Sequence, residues 1–92
     1  MKQTKVLIEK ASQAFSNKDH ETALSILLPL VEEAHPAATG MLGLAYQLGA
    51  GVEQNSQKAI SLLQRAVELG DAYAAHSLGR LYMMGAGDVK AD

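Results

Sequence analysis

One stretch of sequence occurs twice in this chain and decides the fold. It reads Leu42-Gly43-Leu44-Ala45-Tyr46-Gln47-Leu48-Gly49-Ala50-Gly51 and returns 36 residues later as Leu78-Gly79-Arg80-Leu81-Tyr82-Met83-Met84-Gly85-Ala86-Gly87. Six of the ten positions are identical. Apolar residues around both copies recur every three or four positions, which is typical of helices. A fixed internal period of this length indicates a protein built from repeated helical hairpins.

The same offset relates residues outside these two stretches. It pairs Ala23 with Ala59, Leu27 with Leu63, Val31 with Val67, Glu32 with Glu68, and Ala38 with Ala74. Residues 1–35 therefore carry a weakened form of the pattern. We expect a single domain over residues 1–92, with a degenerate N-terminal hairpin (1–35), a full repeat (36–71) and a partial repeat (72–92).

Composition favours an all-α fold without disulfides. The chain has 92 residues, 48% of them hydrophobic and 20% charged, with no cysteine. Its 15 Ala and 13 Leu outnumber 5 Val and 3 Ile, and the first two are the strong helix formers. We predict an α–α superhelix, a solenoid of helical hairpins, with about five helices near residues 2–16, 20–34, 36–48, 56–69 and 72–84.

Several residues predict where these helices begin and end. Pro36 suits a first helical position, Asn55 can cap the helix after it, Gly70 can end that helix in a left-handed turn, and Asp71 can cap the last one. Pro29 lies inside the second predicted helix, where its missing N–H predicts a kink.

Gly43 and Gly79 occupy the same repeat position inside predicted helices. An interior glycine costs a helix about 1 kcal/mol relative to alanine. We therefore expect a close approach between helices at these positions, which a side chain would prevent. The glycines of 49–51 and 85–87 are expected to form the hairpin turns.

These residues resemble a known family. The pattern Leu-Gly-x-x-Tyr-x-x-Gly-x-Gly-Val, followed by Lys58-Ala59, Ala66, Gly70 and Ala74, is similar to the Sel1-like repeat, a relative of the tetratricopeptide repeat. The resemblance is strong from residue 36 to 87. Residues 1–35 lack the Gly-x-Gly turn, and in the third unit Asp88 stands where the pattern has Val.

The resemblance implies a binding surface, because the first helix of each tetratricopeptide-like unit lines the concave face of the superhelix. The residues expected to face this groove and bind a partner are Leu44, Gln47, Leu48, Tyr73, His76, Arg80, Met83 and Met84, with Thr4 and Ile8 added by the first helix. This mixture of aliphatic, methionine and polar side chains suits a peptide or a helix. The competing interpretation places the leucines and methionines in the core.

The last predicted helix has no following helix to cover its apolar residues. Such a surface would be a liability if it stayed exposed. Either the natural protein continues beyond residue 92, or two chains form a homodimer through this helix. The oligomerisation residues would be Leu78, Leu81, Tyr82 and Met83.

No sequence pattern predicts catalysis, a metal or a cofactor. Ser77 resembles a nucleophile elbow, but no strand is predicted before it and its repeat partner is Met41. The paired glycines lack the features of a phosphate-binding loop. The histidines have neither cysteine partners nor a second histidine four residues away, so no metal site is expected.

Net charge and hydropathy argue against a nucleic acid partner and against insertion into a membrane. The formal net charge is -2 and the longest like-charged run is Glu32-Glu33, so we expect no nucleic acid partner. The longest apolar run, 26–31, is too short to span a bilayer, and the N-terminus lacks a signal-peptide core. We therefore expect a cytoplasmic protein with no membrane insertion.

The sequence thus favours a non-enzymatic module that binds a protein or peptide partner through a concave groove and acts as an adaptor. The alternative is an inhibitor or immunity-type protein that blocks one specific enzyme or toxin. A third class, catalysis, would have to rely on His76 and Arg80.

Overall fold

The computed structural model describes the backbone of residues 2–84 and the side chains of residues 4–83. This part of the chain forms five α-helices, which confirms the predicted all-α fold. The helices are α1 (Lys2–Ser16), α2 (His20–Glu32), α3 (Pro36–Leu48), α4 (Ser56–Glu68) and α5 (Ala72–Met84).

Side chains cap the beginnings of three helices. The Asn55 side chain accepts a hydrogen bond from the backbone N–H of Lys58 at 3.1 Å, as predicted for the start of α4. At α3, Pro36 takes the first helical position and the ring of His35 accepts from the N–H of Ala38 at 3.3 Å. These acceptors satisfy N–H groups that have no partner within the helix.

Left-handed residues follow the ends of the helices. Gly49 (φ +69°) caps α3, and Gly70 (φ +104°) follows α4 as the sequence predicts. Ala34 takes φ +60° after α2, which the sequence did not predict because alanine seldom adopts that conformation. As a result α2 ends at Glu32, two residues earlier than expected.

Pro29 lies exposed inside α2, which continues past it to Glu32. Its missing N–H removes one helical hydrogen bond without ending the helix. The expected kink remains a prediction.

The helices pack in chain order, and α3 also packs against α5. The described part of the chain contains two hydrophobic clusters. One joins α1, α2 and α3 through Ala11, Leu27, Leu30 and Ala38. The other joins α4 and α5 through Ile60, Leu63, Ala66, Ala74 and Leu81. The first helices α3 and α5 of successive hairpins therefore lie side by side, as in a superhelix.

The close approach expected at Gly43 is present. A methyl group added there would lie 3.0 Å from Cγ of Leu63 and 3.3 Å from the carbonyl oxygen of Ala59. Gly79 differs, because no atom of the described residues lies within 4 Å of a methyl group added at that position. The two glycines share a repeat position, but in the described structure only Gly43 faces a neighbouring helix.

This difference predicts opposite effects of alanine at the two positions. Gly79→Ala is expected to raise the free energy of unfolding by about 1 kcal/mol, the usual gain in helix propensity. Gly43→Ala makes the same gain in helix propensity, but Leu63 must shift at a greater cost. It is therefore expected to lower the free energy of unfolding by about 1 kcal/mol. Urea denaturation of both variants measures the difference. Equal stabilisation by both substitutions would show that close packing does not explain Gly43.

Candidate functional site

A groove with a volume of about 810 Å³ lies between α1 and α3, and Tyr73 is the described residue of α5 that lines it. Its large apolar side chains are Ile8 and Phe15 from α1, Met41, Leu44 and Leu48 from α3, and Tyr73 from α5. The other lining residues are Ser12, Ser16, Lys18, His20, Ala45, Gly49 and Ala50. We call this set of residues the groove. Its shape and its mostly apolar lining are typical of binding sites in proteins.

Four residues predicted from the sequence line the groove. They are Ile8, Leu44, Leu48 and Tyr73. Leu48 is 72% exposed and Tyr73 is 65% exposed, so both side chains stand at the surface rather than in the core. Leu44 and Ile8 are half-buried.

Thr4 lies in a second, smaller depression that adjoins the groove. This depression has a volume of about 410 Å³ and is lined by Thr4, Lys5, Ile8, His35 and Ala37. Ile8 lines both cavities, so they adjoin at this residue of α1.

Four other predicted residues do not line the groove, namely Gln47, His76, Arg80 and Met83. Gln47 is half-buried, and its backbone carbonyl accepts a hydrogen bond from the Gln54 side chain at 2.8 Å. His76, Arg80 and Met83 are exposed on α5, and the Met84 side chain lies outside the described residues. Arg80 follows Tyr73 by seven residues, which places both on the same face of α5.

The sequence interpretation missed Phe15, Met41 and the polar residues of the groove. The Phe15 ring lies 6.1 Å from the His20 ring, centroid to centroid, at the turn between α1 and α2. Ser12 could have been found, because the 36-residue offset pairs it with Leu48. Phe15 and Met41 enter the groove where α1 and α3 meet, and no repeat position predicts that contact.

The surface predicted for oligomerisation is largely covered by the chain itself. Leu81 is 1% exposed and packs in the α4–α5 cluster, so the structure corrects its expected place at the surface. Leu78 and Tyr82 pack against the same cluster, and the Tyr82 hydroxyl accepts a hydrogen bond from the Gln64 side chain at 3.4 Å. Met83 alone of the four is largely exposed, at 77%. The predicted surface was too large because α4 already covers one side of α5.

The structure shows where the residues that resemble catalytic or metal-binding motifs lie. Ser77 is buried in α5 while His76 is exposed, so adjacent positions point in different directions. No group of three His, Cys, Asp or Glu residues within the described range is placed to hold a metal ion. His35 caps α3, as described above.

A family model for the Sel1 repeat matches residues 36–71 and 72–92. The chain belongs to the Sel1 repeat family. Sel1 repeats are generally protein–protein interaction modules, built as helical hairpins in a superhelix. A comparison with curated proteins found no match.

The Sel1 matches relate the groove to the repeats. The pair α3–α4 lies in the first matched range, and α5 begins the second. The groove therefore combines the first helix of each matched Sel1 repeat with α1, which precedes the matched residues. Among residues 2–84, no helix has the length and apolar character needed to cross a membrane.

Proposed function

We propose that the groove binds a peptide or protein partner and that the protein works as a non-enzymatic interaction module. The observation that carries this proposal is the exposure of Leu48 and Tyr73 beside an apolar cavity. Large apolar side chains grouped at the surface usually mark interaction sites. Aromatic anchors such as tyrosine often dominate the binding energy of such sites.

Two exposed leucines allow a matched test. Peptides selected from a random-sequence display library against the wild-type protein serve as probes, with affinity measured by fluorescence polarisation. Leu48→Ala combined with Tyr73→Ala should weaken binding at least tenfold, or about 1.4 kcal/mol, because truncating interface anchors removes apolar contact. Leu28→Ala should change affinity less than twofold, because Leu28 is 51% exposed on α2 and does not line the groove.

The outcome separates three possibilities. Equal effects of the groove and Leu28 variants would contradict binding in the groove. The proposal as a whole would be contradicted if no selected peptide bound the wild-type protein more tightly than it bound the double variant Leu48→Ala, Tyr73→Ala. Nanomolar binding to one folded partner at 1:1 stoichiometry, with no affinity for peptides, would favour the inhibitor interpretation.

A further inference from the structure

The charges of the groove differ in sign from those of the whole chain. The sequence has 10 acidic residues against 8 basic ones. No described residue that lines the groove or its adjoining depression is acidic, whereas Lys18 lines the first and Lys5 the second. The charged residues in the described lining of these two cavities are therefore both basic, in a chain whose net charge is negative.

Basic and acidic residues are also distributed unevenly among the helices. The first helices α1, α3 and α5 together carry four basic residues (Lys2, Lys5, Lys10 and Arg80) and one acidic residue, Glu9. The rest of residues 2–84 carries three basic residues (Lys18, Lys58 and Arg65) and seven acidic ones (Asp19, Glu21, Glu32, Glu33, Glu53, Glu68 and Asp71). The overall charge of -2 conceals this difference.

Two acidic residues close to the first helices have structural contacts of their own. The Asp19 side chain, next to Lys18 in sequence, accepts a hydrogen bond from the N–H of Thr22 and caps α2. The Asp71 side chain packs over Gly40, where an added methyl group would lie 2.5 Å from its Oδ2. Neither residue lines the groove.

Lys18 lines the groove, and Arg80 lies further along the same face of α5 as Tyr73, two helical turns beyond it. Lys18 occupies the turn after α1 with φ +62°, and its N–H donates to the carbonyl of Phe15 at 3.0 Å, which fixes its backbone beside the groove. Arg80 is exposed on the face of α5 that carries Tyr73. A ligand lying along Phe15, Leu48 and Tyr73 would thus pass beside Lys18, and one that continued along α5 would meet Arg80.

We propose, building on the function proposed above, that the groove recognises an acidic amphipathic protein segment, with apolar side chains on the groove floor and carboxylates beside Lys18 and Arg80. Complementary charge at an interface selects partners and speeds association. A nucleic acid fits less well, because the floor is mostly aliphatic and offers neither a row of stacking rings nor a continuous track of cations.

Three synthetic peptides test the sign of the charge. Each has 12 residues with leucines at helical spacing, and the remaining positions are glutamate, glutamine or lysine. In 50 mM salt the glutamate peptide should bind at least tenfold more tightly than the lysine peptide, with the glutamine peptide between them. The difference should shrink in 500 mM salt, because exposed charges are screened.

Charge-reversal variants locate the effect. Lys18→Glu combined with Arg80→Glu should weaken binding of the glutamate peptide at least tenfold and reverse the preference. Arg65→Glu is the control, because Arg65 is also exposed but lies on α4, and it should change affinity less than twofold. Circular dichroism verifies that all variants remain folded.

The result also separates this proposal from the proposed function. Equal affinity for the three peptides would overturn the acidic preference and leave groove binding intact. Failure of all three to bind would overturn the acidic preference, while the library selection decides independently whether the groove binds peptides. Tighter binding of a 12-nucleotide oligothymidine or of phosphatidylserine vesicles than of the glutamate peptide would also overturn it.

Discussion

Replacing Leu63 by alanine is expected to lower the free energy of unfolding by about 2–5 kcal/mol, the usual range for a buried leucine. Leu63 is fully buried, belongs to the α4–α5 cluster, and fills the space above Gly43. Its loss would leave a cavity where α4 packs against α3 and α5. Small domains are stabilised by only about 5–15 kcal/mol, so much of the total stability is at stake. Urea denaturation followed by circular dichroism measures the change.

Leu28→Ala is the control for this substitution. Leu28 is half exposed on α2, so its truncation should cost well under half as much. If the two variants unfold at the same urea concentration, the burial of Leu63 does not stabilise the fold as expected here.

Replacing Gly51 by alanine is expected to cost about 3 kcal/mol or more. Gly51 has φ +78°, and a methyl group there would lie 2.6 Å from Cβ of His20 and 2.8 Å from Cδ1 of Leu24. Alanine would therefore suffer both backbone strain, of roughly 1–2 kcal/mol, and a collision that moves the α3–α4 turn away from α2. Thermal unfolding of the variant measures the loss.

Gly70→Ala separates the two effects. Gly70 also has a positive φ, of 104°, but no described atom lies within 4 Å of an added methyl group. Its substitution should show the backbone strain alone. A loss at Gly70 equal to that at Gly51 would mean that the contact with His20 and Leu24 contributes nothing.

The helices were predictable because their signals are local or periodic. Pro36, Asn55 and Gly70 act on neighbouring backbone groups, so their roles do not depend on the rest of the fold. The offset of 36 residues then gives the hairpin arrangement without knowledge of any contact. Ala34 escaped prediction because its left-handed conformation contradicts its own preference.

The groove was only partly predictable, because its walls come from different hairpins. Leu44 and Leu48 follow from the face of α3, whereas Phe15 and Met41 line the groove only because of how α1 and α3 meet. Leu81 was wrongly expected at the surface for the same reason, because its burial depends on how α5 packs against α4. The sign of the groove's charge was missed because it depends on where each charged residue lies in space, and the net charge does not record that.

The division of the core into two clusters has a consequence for a bound partner. One cluster holds α1 and α2 with part of α3, the other holds α4 with α5, and the close approach of Leu63 to Gly43 joins the second cluster to α3. The groove draws residues from α1, α3 and α5, and therefore from both halves. A segment spanning it would bind fully only when both halves are folded. Binding would then add a second connection between the two clusters, beside the one that Leu63 and Gly43 already make.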